Sequence, residues 1–267
     1  MSRAKEEKRR LPITVETLEN KNTGYDAVVV GVGEDGEKAV RQYLLHGESF
    51  GYFHTVTFFG GIENGEESEE LNGALKNASW LFVMANTRNE ADKKSALVVA
   101  ESHKETAESP FSALVLLGSE SSSDSREAFD TILSAENADA AYQPIDMLIS
   151  RMCSGDIGFD YADLVHLVKN TQCMRFAQER AENVGVVNEL AAALEGRIKE
   201  TADGDQPQNA IFYISVPQDC LLETVVQTLE RVYAAMNNGS VVWQVKFSED
   251  ENDKSFTAMM LYGAQKQ

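Results

Sequence analysis

The chain has 267 residues, of which 43% are hydrophobic and 25% are charged. This size and composition are typical of a soluble globular protein with one large domain or two modest ones, so the fold needs no disulfide or metal to hold it together. The 43 Asp and Glu residues outnumber the 24 Lys and Arg residues and leave a net charge of -19. Such an acidic balance argues against a nucleic-acid partner and against binding to an anionic membrane surface.

The sequence predicts neither a membrane-spanning helix nor a secretory signal. No stretch approaches the ~20 apolar residues of a membrane-spanning helix, and the N-terminus lacks the apolar core of a secretory signal. The three cysteines, Cys153, Cys173 and Cys220, have no paired spacing and are typical of buried thiols in a reducing compartment. We therefore expect a cytoplasmic protein without direct membrane insertion.

Two kinds of segment make up the N-terminal half. Residues 1–24 combine charged residues with turn formers and predict a flexible tail or an edge segment. Within residues 25–139, short apolar runs alternate with amphipathic stretches, which predicts βαβ units in a Rossmann-like domain with a parallel sheet. The predicted strands are 26–33, 52–59, 80–85 and 112–118, and the predicted helices are 34–45, 71–76 and 87–104.

The C-terminal half has a different pattern. Residues 140–154 predict a connecting helix that starts or kinks near Pro144, and residues 155–267 predict an α+β domain. Because an acidic turn joins the last two strands, we expect them to form an antiparallel hairpin. The predicted helices are 160–169, 186–199 and 221–236, and the predicted strands are 210–216, 241–247 and 255–262.

One segment resembles a phosphate-binding loop. Gly31-Val-Gly-Glu-Asp-Gly36 follows a strand and precedes a helix, as such loops do. However, Glu34 and Asp35 would face a polyanion, and each like-charge pair at ~4 Å costs about 1 kcal/mol in water and about 4 at an effective dielectric of 20. Asp35 is also a suitable N-cap for the helix that follows. The residues alone leave open a nucleotide site and a plain strand–turn–helix junction.

Other catalytic patterns are missing. The sequence has no nucleophile elbow, Walker A motif or HExxH helix. A dinucleotide-binding enzyme is disfavoured because residues 55–60 end in aromatics and glycine, where such enzymes carry an acid after the second strand. We predict no catalytic residue and no metal site, since the histidines are isolated. These are His46, His54, His103 and His166.

Several segments, in order, resemble the bacterial tubulin homologue FtsZ. Residues 25–40 (YDAVVVGVGEDGEKAV) are similar to its first strand, glycine loop and helix, and residues 78–85 (ASWLFVMA) to a later strand. Residues 155–164 (GDIGFDYADL) resemble its synergy loop, and residues 257–263 (TAMMLYG) its last strand. This resemblance, over residues 25–263, implies an FtsZ/tubulin-like fold: a Rossmann-like GTPase-type domain, a central helix and an α+β C-terminal domain.

The resemblance also identifies candidate site residues. FtsZ binds GTP between subunits stacked head to tail, and synergy-loop acids of one subunit activate water on the nucleotide of the next. The FtsZ signature GGGTGTG falls on residues 88–94, where none of its seven residues survives, and the synergy-loop Asn has become Gly158. The remaining matches are Gly31, Gly33 and Gly36 in a vestigial glycine loop, and Asp160 and Asp163 as vestigial synergy-loop acids.

The residues that replace the signature suggest a physical reason for its loss. Thr87 and Glu90 have the spacing of a capping box, which would satisfy the free amides at the start of a helix. Glu90 and Asp92 would also complement the helix dipole that a phosphate normally complements. The positive charges of Arg88, Lys93 and Lys94 would instead favour phosphate binding. Asp160 and Asp163 likewise fit two roles: capping of a helix, or a retained longitudinal contact surface.

We therefore expect a non-catalytic, cytoskeletal FtsZ/tubulin-like assembly factor, a pseudo-GTPase without a bound cofactor, in cell division or membrane remodelling. It would act through protein contacts, with itself or with an FtsZ-like homologue in a head-to-tail arrangement. The alternative is an active divergent GTPase that binds GTP or GDP with Mg and polymerises.

Overall fold

Ten strands form one sheet in the part of the chain that the computed structural model describes. The strands are β1 (Ile13–Glu19), β2 (Tyr25–Val32), β3 (Phe53–Ile62), β4 (Trp80–Ala85), β5 (Phe111–Leu116), β6 (Thr131–Ser134), β7 (Thr171–Ala181), β8 (Asn209–Val216), β9 (Ser240–Phe247) and β10 (Phe256–Gln265). The described residues are 13–19, 25–46, 53–62, 68–108, 110–117, 123–134, 138–152, 156–158, 161–200, 207–236 and 239–265.

Helices cover both faces of this sheet. The α-helices are α1 (Gly33–His46), α2 (Glu69–Asn77), α3 (Glu90–Thr106), α4 (Ser123–Ala128), α5 (Gln143–Asp146), α6 (Tyr161–Lys169), α7 (Val187–Glu200) and α8 (Leu222–Ala235). Every residue of β4 and of β5 is buried, as expected for parallel strands that are covered on both faces.

The strand order is β1-β3-β2-β4-β5-β6-β7-β10-β8-β9. Neighbouring strands from β3 to β7 are parallel, and β8 is parallel to β9. β10 is antiparallel to both of its neighbours. Because Ile132 of β6 pairs with Cys173 of β7, the two predicted halves of the chain share one sheet.

The predicted connecting helix is made of three short helical segments. A single 3₁₀ turn at Ala138–Ala140 precedes α5, and a π-helical turn at Met147–Arg151 continues it. Pro144 lies in the first turn of α5, where its missing N–H costs no helical hydrogen bond. Side chains of this segment, among them Met147 and Ile149, are buried in one core with residues from β2, β4, β8 and β10.

Of the two alternatives for residues 1–24, a flexible tail or an edge segment, the structure shows the edge segment for Ile13–Glu19, which form edge strand β1, antiparallel to β3. The alternating β-branched residues Ile13 and Val15 fit a strand, and the pairing covers the outer edge of β3. The rest of the predicted tail lies outside the described residues.

The predicted hairpin of the last two strands is wrong. β10 lies between β7 and β8, whereas β9 pairs in parallel with β8 at the sheet edge. Helix α8 makes the long connection that parallel neighbours need, so β8, α8 and β9 form a βαβ unit. Strands β6 and β7 and helix α4 were not predicted from the sequence pattern.

Candidate functional site

The three glycines of the predicted loop come together where β2 enters α1. A Cβ on Gly31 would lie 2.3 Å from the Gly36 carbonyl oxygen, and a Cβ on Gly36 would lie 2.5 Å from the Met84 oxygen of β4. Gly33 has φ +68°, a conformation that other residues rarely adopt. The sequence is therefore glycine-rich here because the backbones of β2, α1 and β4 approach one another closely.

The space above this turn contains a carboxylate of the protein itself. A Cβ on Gly33 would lie 2.5 Å from Oδ1 of Asp92 and 2.7 Å from its Oδ2. Asp92 belongs to the first turn of α3, and Gly33 is the first residue of α1. The positive end of the α1 dipole, which attracts anions, is thus complemented by the half-buried Asp92 side chain.

Two further acids lie in the first turn of α1. Glu34 and Asp35 are both exposed. The Asn86 side-chain nitrogen donates to Oδ2 of Asp35 at 2.8 Å, and Oδ1 of Asn86 accepts from the Arg88 backbone N–H at 3.2 Å. Asn86 therefore ties the loop after β4 to the start of α1. The proposed N-cap role of Asp35 is wrong, because α1 already begins at Gly33.

Helix α3 caps its own N-terminus, but not through the predicted capping box. The helix begins at Glu90, and the side chain of Asn89 accepts from the Ala91 backbone N–H at 3.0 Å. Thr87 lies two residues before this N-cap, so its predicted role as the N-cap of α3 is wrong. The Asn89 side chain thereby occupies one of the free backbone donors at the start of α3.

The basic residues near the turn include two lysines that are already paired. Lys38 Nζ donates to Asp139 at 2.9 Å, and this hydrogen bond raises the pKa of Lys38. Lys93, one of the sequence candidates for phosphate contact, donates to Asp124 at 2.9 Å, and its pKa is raised for the same reason.

The remaining basic candidates differ in placement. Glu37 accepts from Arg41 at 2.7 Å, so a third cation on this side is neutralised. Lys94 is exposed on α3, and Arg88 is exposed in the turn before it. The space between the start of α1 (Gly33–Asp35) and the start of α3 (Glu90–Lys93) is called the cradle below. It combines several carboxylates with cations that are largely paired with other acids.

Residues 156–158, part of the segment that resembles the synergy loop, lie against the opposite edge of the sheet. Ile157 forms an antiparallel bridge with Val245 of β9, and the Val245 N–H donates to the Ile157 oxygen at 2.8 Å. Oδ2 of Asp156 accepts from the Phe247 N–H at 2.8 Å. A Cβ on Gly158 would overlap the end of the Gln244 side chain, which would have to shift to make room.

The two predicted acids of this segment can be placed only in part. Asp163 is exposed in the first turn of α6, where both helix capping and a contact role are possible, and Asp160 lies outside the described residues. Strands β2 and β9 are seven positions apart in the sheet, which corresponds to roughly 34 Å. One copy of the chain therefore does not bring its glycine turn and Asp163 into one site.

The described residues also bear on two other kinds of site, a metal centre and a membrane span. Their His, Cys, Asp and Glu side chains form no group of three or more that could hold a metal ion. Among the helices in the described ranges, none combines the length and apolar character needed to cross a membrane.

Comparisons with solved structures identify the architecture. An FtsZ mutant from M. jannaschii superposes with a TM-score of 0.69 at 16% identity, over 90% of this chain and 91% of that chain. The chain has the FtsZ/tubulin-like fold. No family model matches the sequence, and no curated protein does.

Two further structures with this fold are described as protofilaments. CetZ2 from Haloferax volcanii, in a GTPγS-bound protofilament, gives a TM-score of 0.56 at 13% identity, over 91% of this chain and 94% of that chain. TubZ from Bacillus thuringiensis serovar israelensis, in GDP-form protofilaments, gives a TM-score of 0.59 at 9% identity, over 90% of this chain and 86% of that chain. The fold inferred from the sequence resemblance is thus confirmed.

Proposed function

We propose that this chain is a tubulin-like assembly protein that works without nucleotide hydrolysis, as a cytoskeletal factor in cell division or membrane remodelling. The proposal combines the FtsZ/tubulin-like fold, seen in neighbours that form protofilaments, with a cradle that holds carboxylates where those folds would receive phosphates.

The single observation that carries the proposal is the position of Asp92. Its carboxylate lies over the glycine turn, at the start of α1, where a phosphate would interact with backbone amides. A nucleotide would have to displace this group and then face Glu34 and Asp35 as well. At ~4 Å each like-charge contact costs about 1 kcal/mol in water and about 4 at an effective dielectric of 20.

The other end of the molecule supports action through protein contacts. Leu222 and Val226 are four residues apart on one face of α8, and both are exposed, as is the neighbouring Leu221. Ile157 is also exposed, near the end of β9 that lies beside the start of α8. Exposed apolar clusters of this kind mark protein interaction sites.

These two ends suggest an asymmetric role. The synergy-loop end would bind the nucleotide end of an FtsZ-like subunit, while the cradle of this chain would not receive another subunit in the usual way. The protein would then cap or modulate a filament. Self-association in the same head-to-tail sense is the other arrangement that the fold supports.

Sedimentation with a polymerising FtsZ tests this role. We expect the chain, at less than stoichiometric amounts, to lower the polymer that pellets and the rate of GTP turnover. Leu222→Asp with Val226→Asp should abolish the effect. Leu45→Asp, which alters an exposed leucine on α1, should retain it. Unchanged pelleting and turnover with the unaltered chain would contradict capping.

The second candidate is an active divergent GTPase, favoured by the close-packed glycine turn and the positive φ of Gly33. It predicts that GTP with Mg stabilises the chain against heat. Ligand at a hundredfold excess over Kd adds about 2.7 kcal/mol to the free energy of unfolding. An unshifted melting temperature at millimolar GTP would exclude this candidate.

A further inference from the structure

A groove of about 500 Å³ lies at the amino-terminal ends of β8 and β9, between α6 and the end of α8. Its volume falls within the range of about 300–1,000 Å³ that is usual for ligand sites. The polar and aromatic side chains that line it are Asp163, His166, Asn170, Asn209, Tyr233 and Ser240.

Asn209 provides a fixed hydrogen-bond acceptor at this groove. The Thr171 hydroxyl donates to the Leu167 carbonyl at 2.8 Å, so its oxygen accepts from the Asn209 side-chain nitrogen, also at 2.8 Å. In this arrangement the nitrogen of the Asn209 side-chain amide faces Thr171. Asn209 is buried, and its carbonyl oxygen is left as the acceptor for a ligand.

A second hydrogen-bonded pair lies at the end of α6, between His166 and the residue that follows the helix, Asn170. The Asn170 side-chain nitrogen and His166 Nε2 are 3.0 Å apart. The amide nitrogen is the donor of this pair, which leaves the Asn170 side-chain oxygen as another acceptor. Asp163 stands one turn before His166 on the same helix and adds an exposed carboxylate.

The groove therefore presents acceptors and negative charge. None of the described residues that line it is Lys or Arg. Tyr233 contributes an aromatic ring and is 44% exposed. A planar cation with several N–H groups satisfies both features, because it donates to the acceptors and stacks on the ring.

We propose that this groove binds the guanidinium group of an arginine side chain from a partner protein. Arginine carries five N–H donors in a rigid plane, whereas lysine is a compact point charge that stacks less well. The volume leaves room for residues that flank the arginine. This site is independent of filament capping, since it is defined by the groove alone and is tested without FtsZ.

A peptide titration of the full chain, followed by amide NMR spectra, tests the proposal. The probe is a capped Gly-Arg-Gly tripeptide, and its controls replace arginine with neutral, isosteric citrulline or with lysine. We expect saturable shifts at the Asn170 and Ser240 amides below about 10 mM, and weaker binding of both control peptides. Asp163→Asn should weaken the arginine peptide about fivefold, and Tyr233→Leu about threefold.

Glu251→Gln, which neutralises an exposed acid in the turn before β10, is the matched control and should leave the affinity unchanged. Equal affinity for the citrulline peptide would overturn the cation assignment, and equal affinity for the lysine peptide would overturn the guanidinium assignment. Absence of shifts at the groove, or an equal loss with Glu251→Gln, would refute the site.

Discussion

The position of Asp92 can be tested by combining Gly33→Ala with Asp92→Ala. The alanine Cβ at position 33 would lie 2.5 Å from the Asp92 carboxylate, so the substitution forces that side chain away from the start of α1. Asp92→Ala removes the same carboxylate directly. If the carboxylate lies over the turn, each change removes the same interaction, and the pair must be non-additive.

The expected magnitudes follow from the geometry. Gly33 has φ +68°, and a left-handed conformation costs alanine about 1–2 kcal/mol. A carboxylate at a helix N-terminus contributes about 0.3–1 kcal/mol, and up to about 2 when partly buried. Because Asp92 is half-buried, we expect Gly33→Ala to cost about 2–3 kcal/mol alone and about 1–2 beside Asp92→Ala. The coupling is then about 1 kcal/mol.

Urea unfolding of the four proteins, followed by circular dichroism, measures this coupling. Gly73→Ala is the matched control, since no atom lies within 4 Å of its added Cβ in α2, and it should stabilise the chain by about 0.5–1 kcal/mol. Additivity of Gly33→Ala and Asp92→Ala would refute the placement of the carboxylate over the glycine turn.

Three further predictions concern the same half of the molecule. Gly31→Ala should destabilise the chain by at least about 1–3 kcal/mol in urea unfolding, because its Cβ would meet backbone of Gly36; a neutral effect would contradict the close approach. Asn89→Ala should lower the free energy of unfolding by about 1 kcal/mol, and Asn89→Asp should change it little. A larger loss of stability with Thr87→Ala would instead indicate that Thr87 is the N-cap. Burial lowers the pKa of His103 below 6.5, so the unfolded chain binds a proton first and stability falls as the pH drops below about 6.5. His103→Gln should remove this part of the loss between about pH 7.5 and about pH 5.5, and an unchanged pH dependence would contradict it.

Local features of this fold could be predicted from the sequence. The β-branched run before Gly31 and the apolar runs of β4 and β5 are buried strands, because a continuous apolar stretch suits a parallel sheet with both faces covered. The glycine turn can also be predicted, because its strand, turn and helix are adjacent in the chain. The segment resemblance then supplied the order of these units.

Features that depend on distant pairing were missed. β7 carries the charged residues Arg175, Glu179 and Arg180, which are not buried, so its apolar pattern is weak. The strand is stabilised by its long pairing with β10. A hairpin of β9 and β10 was predicted because a short turn favours pairing of consecutive strands. In the structure β10 lies between β7 and β8 instead, where it is buried. Similarly, the proximity of Asp92 to Gly33 brings together the first turns of two helices, and no local sequence pattern predicts it.

The most direct test of the account is calorimetric titration of GTP with Mg into the purified chain and into a variant with an opened cradle. The variant combines Asp92→Gly, Glu34→Gly and Asp35→Gly, and Glu101→Gln, an exposed acid later on α3, is the single-charge control. We predict no binding heat for the unaltered chain or Glu101→Gln at millimolar GTP, and measurable binding for the opened variant. Saturable binding of GTP to the unaltered chain would contradict a cradle closed by its own carboxylates.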